Sequence, residues 1–261
     1  MTFRKGIDKM IDIGEQLKND ISNADMILVG IGEEFEEQFE RLEIVEKHKK
    51  NNKIEAFIRS KYIRECNNKE IMYAYQTLEG LIRNKNYFIV STCKDNYISH
   101  TNLKKERMVF PCGGYQKLQC ENKCGEELYD ADKFVDEIIA KLYATNEFIE
   151  SPHCEKCGAP LVFNNIFAEN YNENGYLEQW SVYSKWLQGT LNRKLCILEL
   201  GVGMSYPTVI RWPFEKIAFF NQKSSFYRVH SKLYQLSEVI KDKGNSIAED
   251  PISLLTKKLS Y

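Results

Sequence analysis

Cys120 and Cys124 are spaced C-x3-C, and Cys154 and Cys157 are spaced C-x2-C. Either spacing lets a short turn aim two sulfurs at one point, and two such turns supply the four thiolates of a tetrahedral structural zinc site. Gly125 and Gly158 directly follow the second cysteine of each pair, where glycine tolerates the turn that brings main-chain amides toward the sulfurs. Two other readings stay open: unconnected reduced cysteine pairs, or a redox dithiol at Cys154 and Cys157. Pro152 and Gly158 flank the second pair as a knuckle would, whereas a redox dithiol opens a helix after a strand. Four thiolates leave zinc no open position, so one ion per chain is expected to hold structure and perform no chemistry.

A second set of residues suits an anionic cofactor. Gly30-Ile31-Gly32 follows the short apolar run Met26-Ile27-Leu28-Val29, and Glu33 comes next. Gly201-Val202-Gly203 follows the run Leu195–Leu200. Neither is a full G-x-G-x-x-G pattern; in the first, Phe35 stands where the third glycine belongs. Two glycine turns at strand carboxyl ends would line one crevice, the place where open α/β sheets bind nucleotides. Thr92 and Asp95, just past the apolar run Tyr87–Val90, would face the same crevice.

The elements that must position these groups alternate. Apolar residues recur at helical spacing from Phe3 to about Asp20 (Ile7, Met10, Ile11, Leu17), and a charged, aromatic-bearing helical segment covers about 33–84. Met26–Val29, Tyr87–Thr92 and Leu195–Leu200 read as buried strands, with Lys216–Phe220 and Phe226–Val229 as further strands. Pro251 opens a closing helix. This rhythm predicts a doubly wound, Rossmann-like α/β domain with a parallel sheet, formed by 1–107 and 190–261. Residues 108–189 break it and are expected to form an inserted zinc-ribbon lobe. Tyr171, Tyr176, Trp180, Tyr183 and Trp186 read as helix packing, since no basic stripe accompanies them.

The chain has 261 residues, enough for a sizeable core. Its formal net charge is -1, which argues against nucleic acid or an acidic membrane surface as partner. The basic tract at Lys47, Lys49, Lys50 and Lys53 has acidic neighbours and reads as a solvated face. No apolar run nears the roughly 20 residues of a membrane span, and Met1–Gly6 carries no signal-peptide pattern. A cytoplasmic protein is expected, so its eight cysteines should be reduced.

Along nearly its whole length the sequence resembles the sirtuins, nicotinamide-cofactor-dependent deacylases and ADP-ribosyltransferases. It is most similar to their macrodomain-linked bacterial branch, sometimes called class M. The resemblance is carried by Gly113-Gly114-Tyr115-Gln116-Lys117-Leu118-Gln119-Cys120, by Cys154-Glu155-Lys156-Cys157-Gly158-Ala159-Pro160, and most specifically by Leu198-Glu199-Leu200-Gly201-Val202-Gly203-Met204. It implies NAD as cofactor and a protein acceptor, in that branch a lipoyl-carrier protein, with a macrodomain hydrolase to reverse the modification.

The departures from the family fall at the reacting centre. The family's glycine-alanine-glycine turn aligns with Gly32-Glu33-Glu34, or with Gly30-Ile31-Gly32 after a shift. Its threonine-x-asparagine-x-aspartate element reads Ser91-Thr92-Cys93-Lys94-Asp95, so Asp95 matches and Cys93 replaces the asparagine. The deacylase base, a histidine that becomes glutamine in class M, falls on Cys112. A thiol with a pKa of about 8.5 is a poor base at neutral pH, so lysine deacylation is not expected. Transfer of ADP-ribose asks chiefly for orientation and nearby negative charge, for which Asp95, Glu33 and Glu34 are candidates. Cys112 is a candidate nucleophile if its pKa is lowered. His100 is a candidate substitute base, whereas His153 is read as a solvent-facing neighbour of the zinc site, and His48 and His230 as surface residues. The expected activity is cleavage of the nicotinamide–ribose bond with transfer to protein; the alternatives are a degenerate NAD or ADP-ribose binding module and an NAD-consuming hydrolase.

Overall fold

The computed structural model describes residues 12–36, 52–65, 68–144 and 149–260. The expected helix residues Phe3 to Ile11, the lysines at 47, 49 and 50, and His48 lie outside these stretches.

Helix α1 (Ile13–Asn23) buries Leu17 and Ile21, four residues apart on one helix face. It leads into β1 (Met26–Ile31), whose six residues are all buried. Such continuous burial requires cover on both faces of the sheet. On one face Ile27, Val29 and Ile31 join α1 and helix α3 (Lys69–Ile82), which follows α2 (Asn52–Arg64). On the other face Met26 and Leu28 meet α5 (Leu177–Gln188) and α6 (Arg211–Phe220). Helix α4 (Asp132–Ala144) lies between α3 and α5 in the chain. Strand β7 (Leu195–Leu200) is likewise buried throughout, β2 (Asn86–Ser91) is buried after Asn86 and β8 (Ser224–Val229) over its last four residues, and each fully buried Leu or Phe contributes about 1.5–3 kcal/mol.

The major sheet has six parallel strands in the order β3-β2-β1-β7-β8-β9, with β3 at Met108–Val109 and β9 at Gly244–Ile247. The order reverses between β1 and β7, which makes their carboxyl ends the topological switch point. A smaller antiparallel sheet, β5-β4-β6, joins β4 (Gly113–Cys120) to β5 (Tyr129–Asp130) and β6 (Leu161–Asn165). Helices α2 and α4 cover it: Phe57 packs its ring 4.9 Å from Phe163, and Arg64 pairs with Asp136. Ser60 Oγ also donates to the Tyr115 carbonyl at 2.7 Å. The chain closes with a turn of helix, α7 (Pro251–Ser253), capped by Asp250 and continued as a π-helical segment (Leu254–Leu259) against α3.

Lys216–Phe220, read from the sequence as a strand, is instead the end of α6. Arg211, Phe214 and Ala218 are its buried positions, a three- and four-residue spacing that fits a helix and not a strand. Within the 108–189 stretch, Met108–Val109 pairs with β2, and α5 packs Tyr183 and Trp186 on Phe88 at 5.3 and 5.7 Å. The aromatic run before and within α5 forms consecutive ring contacts, Tyr171–Tyr176, Tyr176–Trp180 and Trp180–Tyr183.

Candidate active site and metal centre

Strand β4 ends at Cys120, and the loop before β6 carries Cys154 and Cys157. Cys120 Sγ lies 3.4 Å from Cys157 Sγ, Cys124 Sγ lies 3.5 Å from Cys154 Sγ, and all four sulfurs lie within 4.8 Å of one another. Four thiolates at 2.3 Å from a tetrahedral metal stand about 3.8 Å apart, so this spacing suits a zinc-sized ion. In the second knuckle Gly158 has φ +72° and its N–H returns to the Cys154 carbonyl at 2.8 Å. In the first, the left-handed residue is Lys123 (φ 49°), while Gly125 does not adopt a positive φ. His153 is exposed and pairs with Pro160.

The two glycine turns meet at the switch point. A Cβ on Gly32 would stand 2.4 Å from Val202 Cα and 2.6 Å from the Gly201 carbonyl oxygen, so only glycine allows this approach. The Gly32 N–H donates to the Leu200 carbonyl at 3.0 Å, the Glu34 N–H donates to the Gly201 carbonyl at 3.2 Å, and Gly201 has φ +63°. Gly30 serves a different end: α6 seats Ile210 and Phe214 against it. Ile31 is fully buried in the core, and its carbonyl accepts from the Thr92 N–H at 2.9 Å. Phe35, at the missing third glycine, is buried against Tyr75 with ring centroids 5.0 Å apart.

Both acidic residues after Gly32 turn onto main-chain donors. Glu33 accepts from Gly203 and Ser205 N–H groups at 2.6 and 3.1 Å. Burial raises its carboxyl, but hydrogen bonds from its own N–H, Gly203 and Ser205 outweigh this and hold it below the usual carboxylate range. Glu34 accepts from the Ser231 N–H at 3.1 Å and from the Ser231 hydroxyl. His230, beside it, is buried and not a surface residue as the sequence suggested. Its Nδ1 accepts from the Lys232 and Leu233 N–H groups at 3.1 Å each. Burial lowers its pKa against the pull of Glu34, whose Oε1 lies 3.1 Å from Nδ1.

The loop after β2 carries the remaining predicted groups. Cys93 is 1% exposed, and its thiol donates to the Gly32 carbonyl at 3.1 Å. Burial, with Asp95 and Glu36 nearby, pushes this thiol well up. Asp95 is fully enclosed; its Oδ1 accepts from the Tyr97 N–H at 3.1 Å, and its carbonyl accepts from Gln116 Nε2 at 3.1 Å. The side chain thus fixes the turn where β2 leaves the sheet. Cys112 is also buried, and burial pushes its thiol up to about 12 against the pull of Lys94. His100 is exposed and sets its ring edge-on to Tyr97.

Three groups at this edge, Glu36, Phe167 and Tyr206, were not singled out from sequence, and they gather around Lys94. Lys94 donates to Glu36 Oε2 at 2.8 Å and lies 5.2 Å from the Phe167 ring and 5.9 Å from the Tyr206 ring. Burial lowers its pKa, but Glu36 raises it further, so the amine stays charged. One cation therefore links the loop after β1, the loop after β2, the segment after β6 and the loop after β7. The only sequence signal was lysine beside the Ser-Thr strand end; the partners come from distant segments.

No family profile matches the chain. It is 23% identical over 286 residues to the Protein ADP-ribosyltransferase of Staphylococcus aureus, covering 97% of this chain and 89% of that protein. It is 30% identical over 155 residues to a Probable bifunctional ADP-ribose hydrolase/ADP-ribosyltransferase of Fusarium oxysporum f. sp. cubense, covering 55% of this chain and 26% of that protein. Among solved structures, it matches a sirtuin studied for substrate affinity with TM-score 0.56 at 12% identity, covering 95% of this chain and 98% of the other. A mutant Sir2 homologue in complex with ADP-ribose matches with TM-score 0.54 at 10% identity and 95% coverage of both chains. The chain therefore has the sirtuin fold, a six-stranded parallel sheet with a four-cysteine lobe.

Proposed function

We propose that this chain, built on the sirtuin fold, is a divergent sirtuin that binds NAD at the carboxyl edge of the major sheet and transfers ADP-ribose to a protein acceptor. The observation that carries the reading is the meeting of the Gly32 and Gly201–Gly203 turns at the switch point between β1 and β7. Likeness over almost the whole chain to a protein ADP-ribosyltransferase supports the same choice.

The turns at Gly32 and Gly201–Gly203, with Thr92, would hold the dinucleotide, because main-chain N–H groups at strand carboxyl ends suit a phosphate-bearing ligand. When bound, the dinucleotide supplies an ADP-ribosyl group with nicotinamide as leaving group. The chain's own contribution is electrostatic and steric. Glu36, paired with Lys94, fixes the loops after β1 and β2 against each other at the site. Asp95 holds the turn that sets Cys93 and Lys94, and acts as a positioning residue. The neutral thiols of Cys93 and Cys112 fill the site and keep water out; neither has the thiolate character of a nucleophile. The four cysteines would hold one zinc ion that braces the smaller lobe. The remaining proposals are a division into a dinucleotide domain (1–107 and 190–261) and a zinc-bearing lobe (108–189), a cytoplasmic setting, a lipoyl-carrier acceptor and a macrodomain hydrolase as antagonist.

A second reading, a binding module for NAD or ADP-ribose without turnover, is favoured by the two buried, uncharged thiols where a deacylase has asparagine and histidine. Incubation with dinucleotide labelled in the adenylate half separates the readings. Label on an added acceptor or on the chain itself supports transfer, free ADP-ribose supports hydrolysis, and retained but intact dinucleotide supports the binding module. Absence of both binding and turnover overturns all three.

A further inference from the structure

The turn Glu33–Phe35 leaves β1 and sends two consecutive carboxylates across the sheet edge. Glu33 reaches the loop after β7, where Oε2 accepts from Gly203 N–H at 2.6 Å and Oε1 from Ser205 N–H at 3.1 Å. Glu34 reaches the loop after β8 and takes the Ser231 N–H and hydroxyl. These partners lie 170 to 197 residues away in sequence, so the arrangement belongs to the fold and not to a local turn. Main-chain N–H groups at the carboxyl ends of parallel strands, beside the switch point, form a seat for an anion. Two of them at this seat converge on one carboxylate. A Cβ on Gly203 would stand 2.9 Å from Glu33 Oε2, so any side chain there would crowd the carboxylate off the donors.

We infer that Glu33 is an internal anion seated where the phosphate of a bound ligand would lie. A pyrophosphate-bearing ligand must displace this carboxylate to reach the Gly203 and Ser205 donors. The inference rests on the reading that this edge holds a dinucleotide. It adds that the chain weakens its own affinity for that ligand, and that Glu33 sets the threshold concentration at which the site fills. Glu34 has a different role. A Cβ on Gly201 would stand 2.7 Å from Glu34 Cβ, so the stem of Glu34 packs on the turn, and its carboxylate ties the β8 loop at Ser231.

Calorimetric titration of the full chain with inorganic pyrophosphate and, separately, with the dinucleotide tests this. Glu33→Ala is expected to tighten both ligands by tenfold or more. Glu33→Gln, which keeps an acceptor and loses the charge, should fall between Glu33→Ala and the unaltered chain. Melting temperature and zinc content establish that each variant is folded, and Glu33→Gln carries the test if Glu33→Ala does not fold. If the unaltered chain binds dinucleotide and neither variant binds either ligand more tightly, the internal-anion inference is overturned while the proposed function stands. If pyrophosphate binding tightens and no form binds dinucleotide, Glu33 is upheld as the internal anion and the dinucleotide reading fails.

Discussion

Lys94 Nζ lies 2.8 Å from Glu36 Oε2, with side chains only 7% and 17% exposed. A pair this enclosed is vulnerable to loss of one partner, because the survivor keeps the cost of burial without its counter-charge. It also joins segments that share no secondary structure. Lys94→Ala should therefore lower stability by about 3 kcal/mol in denaturant titration. It should lower ADP-ribosyl transfer more than it lowers dinucleotide affinity. A variant as stable as the original would show that the pair is slack in solution.

The cysteine cluster predicts one zinc per chain by mass spectrometry of the metal. Cys157 is exposed, so Cys157→Ser removes a ligand without opening a core cavity. That variant should lose the metal and broaden the unfolding transition of the smaller sheet. Retention of a full equivalent of zinc by Cys157→Ser would contradict the four-thiolate assignment.

Glu199 and Arg228 face each other across β7 and β8, with Arg228 Nε donating to Glu199 Oε2 at 2.6 Å and Arg228 also pairing with Glu215. Burial pushes the Glu199 carboxyl up to about 7, against the pull of Arg228. The folded chain thus holds this proton more tightly than the unfolded chain, whose carboxylate titrates near 4.3. The stabilising contribution is full below that value and is lost as pH rises through about 7. Melting temperature should fall between pH 5 and pH 8, and Glu199→Gln should flatten that slope. Arg228→Leu, which strands two carboxylates, should cost roughly 3–5 kcal/mol at pH 8. An unchanged slope in Glu199→Gln would remove Glu199 as its source.

Burial pushes the Cys112 thiol up to about 12, so iodoacetamide at neutral pH should leave it unlabelled in the native chain. Cys112→Ser should change turnover by less than about tenfold. A proton-transferring or nucleophilic group would cost on the order of a hundredfold or more, and such a loss would give Cys112 a direct chemical role.

The strands at the site were readable because β1, β2 and β7 are apolar runs ending in glycine or Ser-Thr, the signature of a strand covered on both faces. The metal centre was readable because knuckle spacing is local chemistry. The five residues Lys216–Phe220 look like a strand because so short an apolar run has no period; the helix shows only when Phe214 is counted with Ile217 and Ala218. Strand β9, Gly244-Asn245-Ser246-Ile247, gave no signal because an edge strand of four mostly polar residues needs only one neighbour, β8. The directions of Glu33 and Glu34 were not readable either. Each is fixed by donors in loops after β7 and β8, which only the closed sheet brings near.

Hydrogen exchange by mass spectrometry with and without saturating NAD locates the dinucleotide on the chain. Exchange should slow in the segments around Gly32–Glu36, Thr92–Asp95, Gly201–Tyr206 and Val229–Leu233, with the four-cysteine knuckles unchanged. Protection confined to any other part of the chain, or none at a concentration where binding is measured, would rule out a dinucleotide site at the carboxyl edge of the major sheet.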